Sequence, residues 1–259
     1  MKSDLIQTLT ADPDERIALA RVLDCAEAAE KRSVPAHTGF LTPHLRALAA
    51  QLAPGAAFCG GYPEAERVTA VFLPDWADPG DAESYAGLAV IRAARRDRGE
   101  PAPTHRDYLG ALLGLGLRRE AVGDLLVRPE GCDMIVSEGV SAFIRDNLTS
   151  AGHSPLELTI IDPRDLIVPE QAFTERRDTV ASLRLDGVAA AAFSLSRGRA
   201  AEAVAAGKVS VNGVPCEKAD REIADGDTVS LRGAGKCRIQ TDGALSKKGR
   251  VCIVIRKYL

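Results

Sequence analysis

Aromatic residues are scarce in this 259-residue chain, at 4%: one Trp, four Tyr and six Phe. Cores must therefore be built from Leu, Val, Ile and Ala, and a surface of stacking platforms for single-stranded nucleic acid is not expected. Paired cysteines are missing too. The six present (Cys25, Cys59, Cys132, Cys216, Cys237, Cys252) are scattered without a C-x-x-C, which argues against a zinc ribbon and leaves free thiols in a reducing cytosol as the simplest reading. No apolar run nears the about 20 residues a membrane helix needs. The longest, around Val188–Phe193 and Leu109–Leu117, are short or broken by glycine. The opening MKSDLIQTLTADPDERIALA is acidic and amphipathic, so no secretory signal is expected and the chain reads as cytoplasmic. His37, His44 and His153 stand alone, and no G-x-S-x-G, H-E-x-x-H or P-loop occurs. No metal, cofactor or membrane partner is expected.

Charge is present in ordinary amount, 27% of residues with a net −3, but it is unevenly placed. From Thr174 onward there are sixteen Lys/Arg against ten Asp/Glu, which leaves seventeen against twenty-six before it. A basic end on an acidic body points to a polyanion partner at that end.

Local signals predict an α+β chain. Asp12-Pro13 and Thr42-Pro43 each read as an N-cap with proline at the first helical position. They start helices reaching Lys31 and Leu52, the second closed by Pro54-Gly55. Strands are expected at Phe58–Tyr62 and Val68–Leu73, then an Asp/Pro-rich break at Asp75–Asp81. A strand at Tyr85–Arg92 and a polar loop at Arg95–Pro103 follow. Thr104 with Asp107 three residues on predicts a capped helix carrying Tyr108, Leu109, Leu112 and Leu113. A short helix from Arg118, strands at Asp124–Val127, Met134–Val136 and Leu156–Ile161, and a helix at Val140–Leu148 complete a second sandwich. The expected modules are two small α+β domains, 1–82 and 83–173, a charged linker at Thr174–Thr179, and a third domain, 182–259.

The third module holds the densest signals. A helix over Asp186–Phe193, N-capped by Asp186, precedes a second over Ala200–Ala206, whose start carries Ser196, Arg197 and Arg199. Free N–H groups and arginines at a helix start suit a phosphate. Gly207 closes that helix, Lys208–Val211 reads as a strand, and Asn212-Gly213 is a strong hairpin signal. Asp225-Gly226-Asp227 makes a second turn into a strand at Thr228–Leu231. Gly235–Gly249 reads as a long polar loop, and Arg250–Ile255 as the last strand.

R-L-D at Arg184–Asp186, S-R at Ser196–Arg197, G-K-V-x-V-N-G at Gly207–Gly213 and D-G-D at Asp225–Asp227 together resemble the S4 RNA-binding domain. On that reading Arg184, Ser196, Arg197, Arg199, Lys208 and Asn212 line an RNA face, with Lys236, Lys247, Lys248 and Arg250 adding phosphate contacts. The runs at Gly60–Arg67, His105–Glu120 and Val122–Val127 are similar to those of the bacterial YlmH family, from about Phe40 to the end. The resemblance implies two α+β domains before an S4 domain, and a non-catalytic cytoplasmic protein. It further implies binding to the large ribosomal subunit, contact with tRNA and rRNA rather than DNA, and a part in clearing obstructed peptidyl-tRNA complexes and in cell division. Arg106, Arg118 and Arg119, with the last two aimed outward by the Gly114–Gly116 turn, are second-tier RNA contacts.

Two rivals share these letters. Pseudouridine synthases also carry R-L-D and often an S4 domain, but there the S4 domain usually comes first and a large catalytic domain follows. An adaptor that recruits a protein through its acidic body is the other. Gly114-Leu115-Gly116 lacks the third glycine of a dinucleotide fingerprint and follows a helix, so its mechanism fails. His105, Asp107 and Asp124 suggest an acid–base or metal group, but a capping threonine with its neighbouring polar residues explains the same letters and is the preferred reading.

Overall fold

The prolines and capping side chains start helices where the sequence predicts. Asp12 accepts from the N–H groups of Asp14 and Glu15 at 2.8 and 3.2 Å, and Thr42 from that of Leu45 at 3.2 Å. The structure is a computed structural model that describes residues 2–97, 101–170 and 173–258. It opens with α1 (Lys2–Leu9), α2 (Pro13–Arg32), β1 (Ala36–His37), α3 (Pro43–Leu52), β2 (Ala57–Cys59) and β3 (Thr69–Phe72). The helices cover a small antiparallel sheet of order β1-β3-β2, and Leu19, Val22, Leu48, Ala49 and Ala70 fill the space between.

A 3-10 turn over Pro79–Tyr85 fills the Asp/Pro-rich break and delays β4 (Leu88–Arg95) beyond the predicted Tyr85. Of the expected polar loop, residues 98–100 lie outside the described residues. Next come α4 (His105–Gly114), β5 (Val122–Arg128), β6 (Gly131–Ser137), α5 (Glu138–Asn147), β7 (Ser150–Ala151) and β8 (Ser154–Ile161). Thr104 and Asp107 form the full capping box at the start of α4.

The second sheet, order β5-β6-β4-β8-β7, is antiparallel and buried on both faces at its centre. Ile91, Met134 and Val136 pack beneath Tyr108 and Leu112 of α4 and Ile144 of α5. On the other face Val90, Leu126 and Ile135 meet Phe40. Double burial is why β6 reads as a run of apolar residues rather than an alternation. Gly123 is required here: a β-carbon at that position would stand 2.5 Å from the Phe40 ring. The two sheets thus share core residues across position 82 and form one compact unit, Met1–Pro169.

The second unit, Glu170–Leu259, contains β9 (Phe173–Val180), α6 (Leu185–Phe193), α7 (Arg197–Ala205), β10 (Val209–Val211), β11 (Val214–Pro215), β12 (Thr228–Leu231), β13 (Gly235–Gln240) and β14 (Val251–Tyr258). They form one antiparallel sheet of order β11-β10-β12-β13-β14-β9, with α6 and α7 over one face. Two expectations are corrected. Thr174–Thr179 is not a linker but most of β9, paired with β14 from Phe173↔Tyr258 to Val180↔Val251. Nor is Gly235–Gly249 one long loop, since its first six residues are β13, paired on both sides. An edge strand needs few apolar residues, and of β9 only Val180 is fully buried in the core, so its charged sequence hid it.

Candidate nucleic-acid interface

The start of α6 is fixed by main-chain bonds to the segment ahead of β12. Leu185 N–H donates to the Arg221 carbonyl at 2.8 Å, and Asp186 N–H to that of Ala219 at 3.0 Å. This places Asp186 inside the first turn of the helix; the cap position is Arg184, which makes no side-chain cap bond. The expected N-cap role of Asp186 is thereby replaced by another. Its side chain, 7% exposed, accepts from Arg184 Nε at 3.2 Å, from Arg197 Nε at 3.2 Å and from Gly187 N–H at 2.8 Å. Burial pushes the carboxyl up, but the arginine and Gly187 hydrogen bonds win, and it ionises below its usual range.

One buried carboxylate therefore holds two partly exposed guanidinium groups, on side chains that are 42% exposed for Arg184 and 61% for Arg197. Arg197 also lines a groove of about 310 Å³ together with Arg250, Thr179, Ser182 and Gly187. Arg250 is steadied by donating to the Thr179 hydroxyl and carbonyl at 3.0 and 2.6 Å. Ser196 caps α7 by accepting from Arg199 N–H at 3.3 Å. The side chains of Arg199 and Lys208 are exposed and have no carboxylate partner among the described residues.

Other predicted positions fall elsewhere. Asn212 is committed internally: its amide donates to Asp227 at 2.7 Å and its oxygen accepts from Thr228 N–H at 2.8 Å. With φ of 53° at Asn212 and 79° at Gly213, the pair forms the expected tight hairpin turn and ties it to the D-G-D turn. Replacing Asn212 by alanine should cost about 1 kcal/mol of stability, read as a lowered urea midpoint, while RNA affinity of the folded chain stays unchanged. Lys236 lies in β13 rather than a loop, over the Tyr258 ring. Lys247 and Lys248 are exposed in the β13–β14 connection.

On the first unit, Arg106 is exposed beside a shallow groove formed with Gly110, Asn147 and Ser150. Arg118 points outward, its side chain 77% exposed and 3.7 Å from Glu120. Arg119 does not. It turns in to donate to the Val122 carbonyl at 2.5 Å, and burial lowers its pKa. The acid–base reading of Asp124 gives way to a structural one: it accepts from the Tyr62 hydroxyl and the N–H groups of Glu66 and Arg67. Asp107 is the third helical residue of the capping box, accepting from the Thr104 N–H at 2.8 Å. No group of three or more His, Cys, Asp or Glu among the described residues is placed to hold a metal, and no described helix is long and apolar enough to cross a membrane.

Two short helices over one face of an antiparallel sheet, with arginines at their starts, define an S4-domain protein, and residues 183–229 match the S4 domain. Residues 14–74 match the description "YlmH, N-terminal" and residues 102–165 "Putative RNA-binding domain in YlmH". A Bacillus subtilis (strain 168) relative, "Ribosome-associated protein quality control protein P2", is 33% identical over 241 residues, covering 92% of this chain and 93% of that one. The chain belongs to the YlmH family. A solved structure, "Cell division protein ylmH from Streptococcus pneumoniae", shares its fold with a TM-score of 0.51 at 22% identity, over 61% of this chain and 97% of that one.

Proposed function

We propose that this protein grips structured RNA with the α6–α7 face and acts on the large ribosomal subunit, contacting tRNA and rRNA, as a non-catalytic factor for obstructed peptidyl-tRNA complexes. The observation that carries the reading is the pair Arg184 and Arg197, held by one buried carboxylate beside Arg250, with Arg199 and Lys208 unpaired on the same module. A fixed guanidinium fork meets phosphate oxygens with little ordering cost, and folded RNA is read largely through shape, phosphates and 2′-hydroxyls. Asp186 does not suit a catalytic carboxylate, because two arginines already occupy it and solvent barely reaches it. The name of the Bacillus relative supports the ribosome as the setting, and the match to a putative RNA-binding domain supports Arg106 and Arg118 as an accessory contact.

Co-sedimentation with separated ribosomal subunits, with and without tRNA, tests this directly. The wild-type chain should pellet with the large subunit and be released by salt. Arg199→Glu/Lys208→Glu removes two exposed cations whose side chains have no carboxylate partner among the described residues. It should weaken binding and reduce the slope of log affinity against log salt by about 1.8. Unchanged binding by the variant would move the contact off this face, and no binding to either subunit would sink the ribosomal reading.

A further inference from the structure

The sheet of the second unit has a second face, turned away from α6 and α7. Ile253 and Ile255 of β14 point into the core, so Cys252, Val254, Arg256 and Tyr258 lie on the opposite face. Strand register then assigns their neighbours. Phe173 pairs with Tyr258, over whose ring Lys236 lies, Glu175 and Arg238 flank Arg256, and Arg177 lies beside Val254. The result is four cations around two aromatic rings, with Glu175 beside Arg256 and with Asp225 and Asp242 lining the same groove as Arg177.

Glu175 is taken by Arg256 at 3.1 Å. Arg177 and Arg238 are exposed with no carboxylate partner among the described residues, and Arg238 sits directly opposite Arg256 in the ladder. Like charges facing each other across strands cost stability, a cost that Glu175 offsets at Arg256 but not at Arg238. The rings are arranged with the cations: Arg256 lies 4.9 Å from the Phe173 centroid and Lys236 5.2 Å from that of Tyr258. Phe173 remains 45% exposed.

We infer that this face is a second RNA surface, separate from the helix face, and that its occupant is an unpaired RNA strand. Guanidinium groups meet the phosphates, while Phe173 and Tyr258 take bases or riboses against the ring surface left open. An unpaired strand fits better than a duplex, because a helix hides the faces of its bases and a flat sheet cannot enter its deep groove. It fits better than an acidic protein segment, because carboxylates have no use for ring faces. The scarcity of aromatics in the whole chain hides the feature, since two of the few stand side by side here.

Titration of the full-length protein with fluorescent oligouridine and, separately, with a base-paired RNA hairpin tests the inference. Arg177→Glu/Arg238→Glu should reduce the salt slope for oligouridine by about 1.4. Phe173→Ala/Tyr258→Ala should weaken oligouridine binding at least about thirtyfold without changing that slope. Both should leave hairpin binding intact, compared at a temperature where circular dichroism shows each chain folded. Arg199→Glu/Lys208→Glu should do the reverse, losing the hairpin and keeping the oligouridine. Oligouridine binding indifferent to both sheet-face variants would overturn the inference. So would displacement of the oligonucleotide by polyglutamate together with silence of the ring variant, which would mark an acidic protein partner instead. Failure of the hairpin arm alone would count against the helix-face reading and leave this one standing.

Discussion

Asp133→Ala is expected to destabilise the first unit by about 3–5 kcal/mol, the cost of breaking a buried ion pair from one side. Asp133 is fully buried within β6. Its carboxylate accepts from Arg92 Nε and Nη2 at 2.9 and 2.8 Å, from Arg128 Nη2 at 3.0 Å, and from Ile167 N–H at 3.0 Å. The same arginines reach on to the carbonyls of Asp165 and Ile167 at 2.7 and 2.8 Å. One side chain thus pins the 162–168 segment to the second sheet, and its loss strands a nearly buried Arg128. Urea melts followed by the single Trp76, which lies in this unit, should show a lowered midpoint, and hydrogen exchange should show residues 162–168 released first. Burial pushes the Asp133 carboxyl up, but its three partners overcome that and hold it far below the usual range. A depressed folded pKa gives stability that is complete above the unfolded value and lost as pH falls toward the folded one. Asp133→Asn should flatten that acid-side decline. An unchanged midpoint in Asp133→Ala would show the network to be dispensable.

What could be read in the sequence was whatever has a local cause. Asp12-Pro13, Thr42-Pro43, Thr104 with Asp107, Ser196 and Asn212-Gly213 act within a few residues of themselves, and each structural role follows from its own letters. The S4 resemblance, a family pattern and not a local cause, grouped Arg184, Ser196 and Arg197 on one expected face. Pairing across sequence was not legible. The partner of T-E-R-R-D-T is β14, more than seventy residues on, and no local pattern announces it. Asp186 shows the same limit. Its helix-capping letters were visible, but its use as an anchor depends on Arg197 arriving from the next helix. Arg119 looked identical to Arg118 until the fold turned it toward the Val122 carbonyl. The sheet-face cations Arg177, Arg238 and Arg256 were missed because their common side exists only once three strands are in register. The alternation of Val251–Tyr258, apolar inward at Ile253 and Ile255, was the one available hint.

Asp186→Ala should weaken binding of structured RNA by about 2 kcal/mol, or roughly thirtyfold, although it removes a negative charge from a basic face. Two effects oppose each other. Deleting the carboxylate raises the local charge by one, which favours any polyanion, but at physiological salt an exposed charge is screened within about 8 Å. Against this, Arg184 and Arg197 lose their shared anchor. Re-fixing each long side chain on the RNA costs about 0.5–1.5 kcal/mol, so the ordering penalty exceeds the gain. The two effects separate in one titration series: affinity falls while the salt slope holds or steepens, whereas losing an arginine contact lowers both. Folding should also suffer, by about 1.5–3 kcal/mol for hydrogen bonds to a buried charge. Affinity is therefore compared at temperatures where both chains are folded. Asp186→Asn, which keeps acceptor geometry on one oxygen, should fall between. Because the Asp186 carboxyl is held below its usual range, wild-type affinity should stay flat across neutral and mildly acidic pH. Should Asp186→Ala bind RNA as tightly as wild type at physiological salt, the arginines would be acting as free charges, and the buried carboxylate would serve the fold alone.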